Sequence, residues 1–150
     1  MQYHVFDLDG TVIDSRHRYA TLPNGDIDLQ HWRDHCTPEH IANDTLLPCA
    51  NKMRRAFNNG HKVIVATSRI MQEADFAFLD RHGLFADAIL FRPEGVNDGC
   101  ADLKEFMLDE FFDGEGTCIE AETVIVYEDH MGVIDRLRGR GAFCVVEGYN

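Results

Sequence analysis

Positive charge and long apolar runs are both scarce in this sequence of 150 residues. Only 14 Lys and Arg residues stand against 26 Asp and Glu residues, which gives a net charge of −12. Such an acidic surface repels phosphate backbones and excludes a polybasic membrane patch, so an extended nucleic-acid surface is disfavoured. No apolar run approaches the roughly 20 residues of a transmembrane helix, and the N-terminus lacks the pattern of a signal peptide.

Paired cysteines and metal-binding histidine patterns are also missing. The five Cys residues are an odd number, and no C-x-x-C pair or zinc spacing with a His residue occurs. The eight His residues form no H-x-H or H-E-x-x-H pattern. We therefore expect reduced thiols, a cytoplasmic protein (in the host cytoplasm if the chain is phage-encoded) and no zinc site.

Apolar strand-like runs alternate with helical segments along the chain. Strands are predicted at 3–8, 61–66, 88–91, 123–127 and 142–146, and the main helices at 50–58, 71–82, 101–112 and 131–140. This alternation predicts an α/β fold with a five-stranded, mainly parallel sheet and helices on both faces. Length favours one domain over residues 1–150, with a small cap or flap insert at about 14–47 that contains the turn signal Pro23-Asn24-Gly25.

Ligands of such sheets bind at the carboxyl ends of the strands, so the residues that follow each strand are the candidates for a site. Asp7 and Asp9 follow the first strand, and two carboxylates this close repel each other unless a cation or a proton lies between them. Gly10 permits a turn or a close approach of the backbone. The alternative is an ordinary turn with Asx-type hydrogen bonds.

The later strand ends carry three more polar groups. Thr67, Ser68 and Arg69 follow the second strand, where a hydroxyl and backbone N–H groups suit a phosphate oxygen. Each group also has a simpler explanation. Thr67 suits a helix cap, Lys104 a solvated helix face, and the pair Glu128-Asp129 a helix start that complements the dipole.

Four segments stand in a fixed order at these strand ends, namely FDLDGT, VIVATSR, DLKEFM and VIVYEDH. In that order they resemble the signature motifs of the haloacid dehalogenase superfamily, chiefly its phosphatases, over nearly the whole chain. The segments FRPEGVNDGCADLK and EDHMGVIDRLRGRGAFCVV resemble the phosphatase domain of bacteriophage polynucleotide kinases. Glu128 and His130 replace the aspartate and arginine that are usual there, and no G-x-x-x-x-G-K-[ST] loop for ATP occurs. The resemblance implies a Rossmann-like core.

The resemblance also implies a role for each matched residue. Asp7 is the nucleophile that forms an aspartyl-phosphate, and Asp9 is the general acid and base. Thr67 and Lys104 complete the catalytic set by contacting the phosphoryl oxygens. The implied substrate-binding residues are Thr67, Ser68, Arg69, Arg92 and Lys104, and the implied Mg²⁺ ligands are Asp7, Asp9, Asp129 and Glu128. Glu128 either ligates through water or orients Lys104, and we prefer the second role.

The implied activity is Mg²⁺-dependent hydrolysis of a phosphomonoester, with a nucleotide or a nucleic-acid 3′-phosphate as the substrate. The alternative is a receiver-like or catalytically silent phosphate-binding module of the same fold, which the order of the motifs and the presence of Asp9 disfavour. Within the insert, the residues predicted to face the substrate are Tyr19, His31, Trp32, Arg33 and His35. The alternative for Trp32 is that it packs the insert onto the core.

Overall fold

The structure is a computed structural model that describes residues 2–149. The strands are β1 (Gln2–Phe6), β2 (Ile13–Asp14), β3 (Thr45–Leu46), β4 (Lys62–Ala66), β5 (Ala88–Leu90), β6 (Thr123–Glu128) and β7 (Phe143–Val146). The helices are α1 (Leu29–Asp34), α2 (Pro38–Ala42), α3 (Cys49–Asn58), α4 (Glu73–Arg81), α5 (Cys100–Gly114) and α6 (Met131–Gly139), with a 3₁₀ turn at Ile119–Ala121.

Five strands form one sheet in the order β5-β4-β1-β6-β7, and all four pairings are parallel. The first strand of the chain lies in the centre, where Tyr3 pairs with Lys62 of β4 and with Val124 of β6. The chain order reverses at this central strand, which creates the crevice where ligands of doubly wound sheets bind. The predicted α/β fold class is confirmed.

Helices cover both faces of the sheet, because successive strand residues point to opposite sides. Val5 belongs to a buried cluster with residues of α5 and α6, such as Leu108 and Val133. Phe6 belongs to a second cluster with residues of α3 and α4, such as Met53 and Phe78. Within residues 2–149 no helix is long and apolar enough to cross a membrane.

The observed boundaries differ from the predicted ones where backbone groups bond locally. Strand β1 ends at Phe6 rather than at residue 8, because the Leu8 carbonyl turns to accept the N–H groups of Thr11, Val12 and Ile13. Helix α4 begins at Glu73 rather than at residue 71, because the Asp75 carboxylate accepts the backbone N–H of Gln72 at 2.9 Å and fixes the helix start there. The short antiparallel pair β2–β3 was not predicted, since two-residue strands carry no periodic signal.

The insert leaves the core through β2 and returns through β3, which pair at its base. Its first part, residues 15–28, is called the flap below. The flap is a small hairpin in which Thr21 pairs with Ile27, and Gly25 at its tip adopts a φ of 89°. Its second part holds α1 and α2, and Thr37 caps α2.

Candidate active site

A pocket of about 340 Å³ opens at the carboxyl ends of β1, β4 and β6. One wall comes from the loops that follow these strands together with α5, and the other from the flap. The lining residues are Asp7, Asp9, Tyr19, Thr21, Asn24, Gly25, Ser68, Cys100, Lys104, Glu128, Asp129, His130, Met131 and Gly132. Residues from all four predicted segments therefore meet at one place.

Lys104 joins two carboxylates at the floor of the pocket. Its Nζ donates to Asp7 Oδ1 at 2.7 Å and to Glu128 Oε2 at 2.6 Å, and its side chain is almost fully buried. The other oxygen of Glu128 accepts the backbone N–H groups of Asp129 and His130. Because both Glu128 oxygens are bonded within the protein, this geometry supports the preferred role, in which Glu128 orients Lys104.

Carboxylates outnumber cations in this cluster. Asp7, Glu128 and Asp129 each offer an oxygen within 4.8 Å of the other two, and Lys104 is the one cation that contacts them in the described part of the chain. Desolvation and the nearby charge of Asp7 raise the pKa of Asp129 to about 9 and that of Glu128 to about 7. With all three ionised, two negative charges remain. A hard divalent cation such as Mg²⁺, which prefers carboxylate oxygens, fits this donor set.

Gly10 keeps Asp129 close to the first strand end. Its φ is 83°, and a Cβ at this position would lie 2.2 Å from Asp129 Oδ2. A larger residue would therefore displace the Asp129 carboxylate as well as strain the backbone. The glycine that the sequence marked as a turn residue is needed both for the turn and for the close approach.

The structure places Arg69 beneath the pocket and not in it, which corrects its predicted role in substrate binding. Its guanidinium donates to both oxygens of Asp9, at 3.1 and 2.5 Å, and to Asp75 at 2.7 Å. Burial alone would raise the pKa of Asp9, but the charge and the hydrogen bonds of Arg69 hold it below its usual range. Arg69 thus positions Asp9 and keeps it ionised, and each of its three guanidinium nitrogens bonds a carboxylate.

Arg92 is likewise buried, and its predicted contact with substrate is not what the structure shows. Its guanidinium donates to the carbonyl oxygens of Ser68 at 2.8 Å, Asp98 at 2.7 Å and Val96 at 3.1 Å. These bonds join the loop after β4 to the loop that leads into α5. Arg92 therefore holds two loops of the site in place.

The two hydroxyls after β4 face different partners. Thr67 is buried outside the pocket lining, and its Oγ1 accepts the backbone N–H of Arg69 at 3.1 Å. Ser68 lines the pocket, and its Oγ is buried with no hydrogen-bond partner among residues 2–149. A buried hydroxyl without a partner is costly, so Ser68 is suited to bond a ligand oxygen.

Of the five insert residues predicted to face the substrate, only Tyr19 lines the pocket. Trp32 is buried in the core, with its ring edge-on to Tyr19 and under the Arg18 guanidinium at 4.1 Å. Its packing role, the alternative interpretation, is the one that the structure shows. The residues predicted to face the substrate but absent from the pocket are His31, Trp32, Arg33 and His35.

Several supporting residues were missed by sequence reasoning. Thr11 donates to Asp7 Oδ2 at 3.0 Å, and Ser15 donates to Asp9. A buried ion pair inside the insert, Arg18 with Asp44 at 2.7 Å, lies beside the Arg69 group. Thr11 and Ser15 follow the first motif closely, and that proximity is the one signal available. The ion pair spans 26 residues and leaves no local pattern.

Comparison with known proteins agrees with this geometry. The profile of the family described as bacteriophage T5 5′-deoxynucleotidase matches residues 1–92, more than half of the chain. The chain belongs to this family. The 5′-deoxynucleotidase of Escherichia phage T5 is 37% identical over 84 residues, which are 53% of this family member and 34% of the phage protein. The chain thus spans about a third of the length of that relative.

Solved structures share the fold of this family member at low identity. A haloacid dehalogenase-like hydrolase of Streptococcus pneumoniae is similar with a TM-score of 0.70 and 14% identity, over 99% of this chain and 86% of that one. A chain of the Pnkp1/Rnl/Hen1 RNA repair complex is similar with a TM-score of 0.72 and 22% identity, over 99% and 43%. The resemblance to the haloacid dehalogenase superfamily is confirmed at the level of the fold.

Proposed function

We propose that the chain is a Mg²⁺-dependent phosphatase of mononucleotides that works through an aspartyl-phosphate on Asp7. The observation that carries the proposal is the cluster at the carboxyl ends of β1 and β6, where three carboxylates gather and one buried lysine bonds two of them, Asp7 and Glu128. The family match supports hydrolysis of a phosphomonoester. A haloacid dehalogenase fold by itself does not fix the substrate.

The residues of the cluster fit Mg²⁺, with Asp7 and Asp129 as ligands through their carboxylates and Asp9 through its backbone carbonyl. A solved structure of the same fold, the heptose bisphosphate phosphatase of B. bronchiseptica, is described as complexed with magnesium and phosphate; it has a TM-score of 0.62 and 18% identity. Bound Mg²⁺ would neutralise charge on both the carboxylate and the phosphoryl group. Glu128 holds Lys104 in place beside Asp7, and Lys104 then offers its charge to the phosphoryl oxygens.

Asp7 supplies the nucleophile. One carboxylate oxygen forms a bond to phosphorus while the ester P–O bond breaks, and the leaving alkoxide takes a proton from Asp9. Lys104 and Thr11 each bond one Asp7 oxygen and so fix the carboxylate plane before attack. Ser68 Oγ, which lines the pocket, would bond a phosphoryl oxygen, whereas the Thr67 hydroxyl, which lies outside the lining, would support the loop through its bond from the Arg69 N–H.

Asp9 serves the two halves of the reaction in different positions. In the conformation that the structure shows, it is held by Arg69 and Ser15 and is ionised, which suits a base that takes a proton from the hydrolytic water. To protonate the leaving group, Asp9 must first bind a proton from solvent, and turning from Arg69 into the pocket that it already lines would favour this because it leaves the charge that lowers its pKa. Attack of the activated water on the aspartyl-phosphate then releases orthophosphate and restores Asp7.

The size and the charge of the site favour a free mononucleotide over a nucleic-acid end. A volume of about 340 Å³ lies at the lower end of the range for small-ligand pockets. The chain's net charge of −12 opposes the approach of a polyanion. The family's description as a 5′-deoxynucleotidase supports the same substrate class.

Phosphate release from a panel of deoxynucleoside monophosphates, ribonucleotides, sugar phosphates and 3′-phosphorylated oligonucleotides, with Mg²⁺ or EDTA, tests the proposal. We expect Mg²⁺-dependent turnover that is highest on mononucleotides. Asp7→Asn is expected to lose at least about a thousandfold in kcat, whereas the matched change Asp113→Asn at an exposed site leaves kcat within twofold. Absence of turnover on every compound would revive the silent or receiver-like module.

A further inference from the structure

We propose that Asp26 is a positioning residue that latches the flap across the pocket and thereby sets the size of substrate that the site accepts. The inference rests on the proposed function for its substrate class, but the latch itself is a structural claim about the flap. The Asp26 carboxylate lies at the flap tip, and its partners Cys100 and His130 lie on the far side of the pocket.

The Asp26 carboxylate is bonded on two sides. Oδ2 accepts Asn24 Nδ2 at 3.1 Å, and the Asp26 N–H donates to Asn24 Oδ1 at 3.0 Å, so the tip is rigid within itself. Oδ1 accepts the backbone N–H of Cys100 at 3.1 Å, in the first turn of α5. His130 Nε2 lies 3.3 Å from the same oxygen. The flap thus touches two core elements through one side chain.

Helix α5 has no cap of its own. Its N-cap residue is Gly99, which makes no side-chain hydrogen bond, so the flap carboxylate supplies the acceptor and the negative charge that this helix end favours. A Cβ at Gly99 would lie 2.8 Å from Asp26 Oδ2. Glycine is therefore needed here for the carboxylate to approach, although its φ of −61° is open to any residue.

A hydrogen bond from helix α6 holds the His130 ring beside Asp26. The Val133 N–H donates to His130 Nδ1 at 3.2 Å, which leaves Nε2 on the side of Asp26, 3.3 Å from Oδ1 but without a hydrogen bond to any of residues 2–149. Cys100, Asp26 and His130 each also offer an atom within 4.8 Å of the other two, a spacing at which three residues could share a metal ion. A metal at Nε2 would need that nitrogen unprotonated and would break the cap of α6, and burial raises the pKa of the Cys100 thiol. The hydrogen bond from the Cys100 N–H to Asp26, with the His130 ring beside it, therefore favours a latch over a metal site.

The latch decides where the second wall of the pocket lies. Tyr19, Thr21, Asn24 and Gly25 of the flap line the pocket opposite Met131, so the distance between the two walls depends on the contact of Asp26 with the core. With the latch in place, the mouth suits one nucleoside monophosphate. Without it, the flap swings outward, and a longer ester enters while a mononucleotide loses contacts.

Three variants test the latch from both of its sides. Asp26→Ala removes the carboxylate. Gly99→Ala obstructs it without touching the flap, and Gly114→Ala is the matched control, since it makes the same change at the other end of α5 with no atom within 4 Å of the new Cβ. Hydrogen exchange of flap amides reports opening whether or not the chain is an enzyme. The ratio of kcat/KM for a deoxynucleoside monophosphate to that for a 3′-phosphorylated oligonucleotide reports selectivity.

We expect flap amides in Asp26→Ala and Gly99→Ala to exchange about tenfold faster than in wild type, because hydrogen bonds to a charged group hold the flap closed. We expect the selectivity ratio to fall at least fivefold through a higher KM for the mononucleotide, with kcat nearly unchanged, and Gly114→Ala to behave as wild type. Unchanged exchange in Asp26→Ala, or equal effects of Gly99→Ala and Gly114→Ala, would overturn the latch. Faster exchange with an unchanged ratio would overturn its role in selectivity, and an inactive wild type would refute the proposed function alone.

Discussion

Replacing Lys104 by methionine removes the one cation that contacts Asp7 and Glu128 within the described residues, while it keeps most of the side-chain volume. The remaining carboxylates then lie buried, close together and without an opposite charge. Removing one partner of a buried ion pair typically destabilises a protein by about 3–5 kcal/mol. For a chain of this size we expect the Tm of the metal-free protein to fall on the order of 10 °C.

A second mutation separates this cause from simple loss of packing. In Lys104→Met/Glu128→Gln the buried charge that lost its partner is itself removed, so the double variant should regain about 1–3 kcal/mol relative to Lys104→Met. Lys52→Met is the matched control, because Lys52 pairs with Glu147 at the surface, where an ion pair stabilises by only about 0–1 kcal/mol. Urea unfolding with and without Mg²⁺ measures all four proteins.

Activity adds an independent test of the same lysine. Loss of a preorganised charge beside the phosphoryl group typically lowers kcat about 10²–10³-fold, and we expect this for Lys104→Met at saturating Mg²⁺. A loss below 0.5 kcal/mol in stability together with near-normal kcat would refute the reasoning. Lys104 would then be the solvated lysine of the simpler interpretation.

Three further predictions follow from the site. The pKa values of Asp129 and Glu128 are raised in the folded chain, so their contribution to stability is present near pH 4 and is lost as the pH rises through about 7 to 9. Because Mg²⁺ binds the ionised carboxylates, the Tm increase on adding Mg²⁺ should grow from pH 5 to pH 9. This growth should be smaller in Asp129→Asn. Gly10→Ala and Gly60→Ala should both lose about 1–2 kcal/mol of stability through backbone strain, because the two glycines have φ values of 83° and 80°, and Gly60 has no atom within 4 Å of a new Cβ. Gly10→Ala alone should also lose Mg²⁺ affinity and activity, because its Cβ would displace Asp129. Equal behaviour of the two variants would contradict the contact with Asp129. In Asp9→Asn, acid-quenched samples incubated with radiolabelled phosphomonoester should show more labelled phosphoenzyme relative to turnover than wild type does; a variant with normal turnover would show that Asp9 is not the acid and base.

Local sequence patterns were enough to predict the strands and main helices of the core and the acidic residues that line the pocket. The apolar runs and turn residues predicted five strands and the helices between them, because these patterns depend on neighbours along the chain. The motifs at the strand ends could be assigned to one place, because parallel strands bring their carboxyl ends to one edge of the sheet. Asp7, Lys104 and Glu128 therefore meet as expected, although they lie up to 121 residues apart in sequence.

The partners of long, flexible side chains were decided only by the tertiary structure. The sequence predicted that Arg69 and Arg92 contact the substrate. In the structure each guanidinium points inward and donates hydrogen bonds to other segments, Arg69 to carboxylates and Arg92 to backbone carbonyl oxygens. The contact of Asp26 with Cys100 spans 74 residues and depends on a missing Cβ at Gly99. The sequence by itself determined the fold class and which acidic residues gather, because these follow from local periodicity and strand direction. The tertiary structure decided which charges neutralise one another and where the flap closes, because these depend on distances that only the packed chain defines.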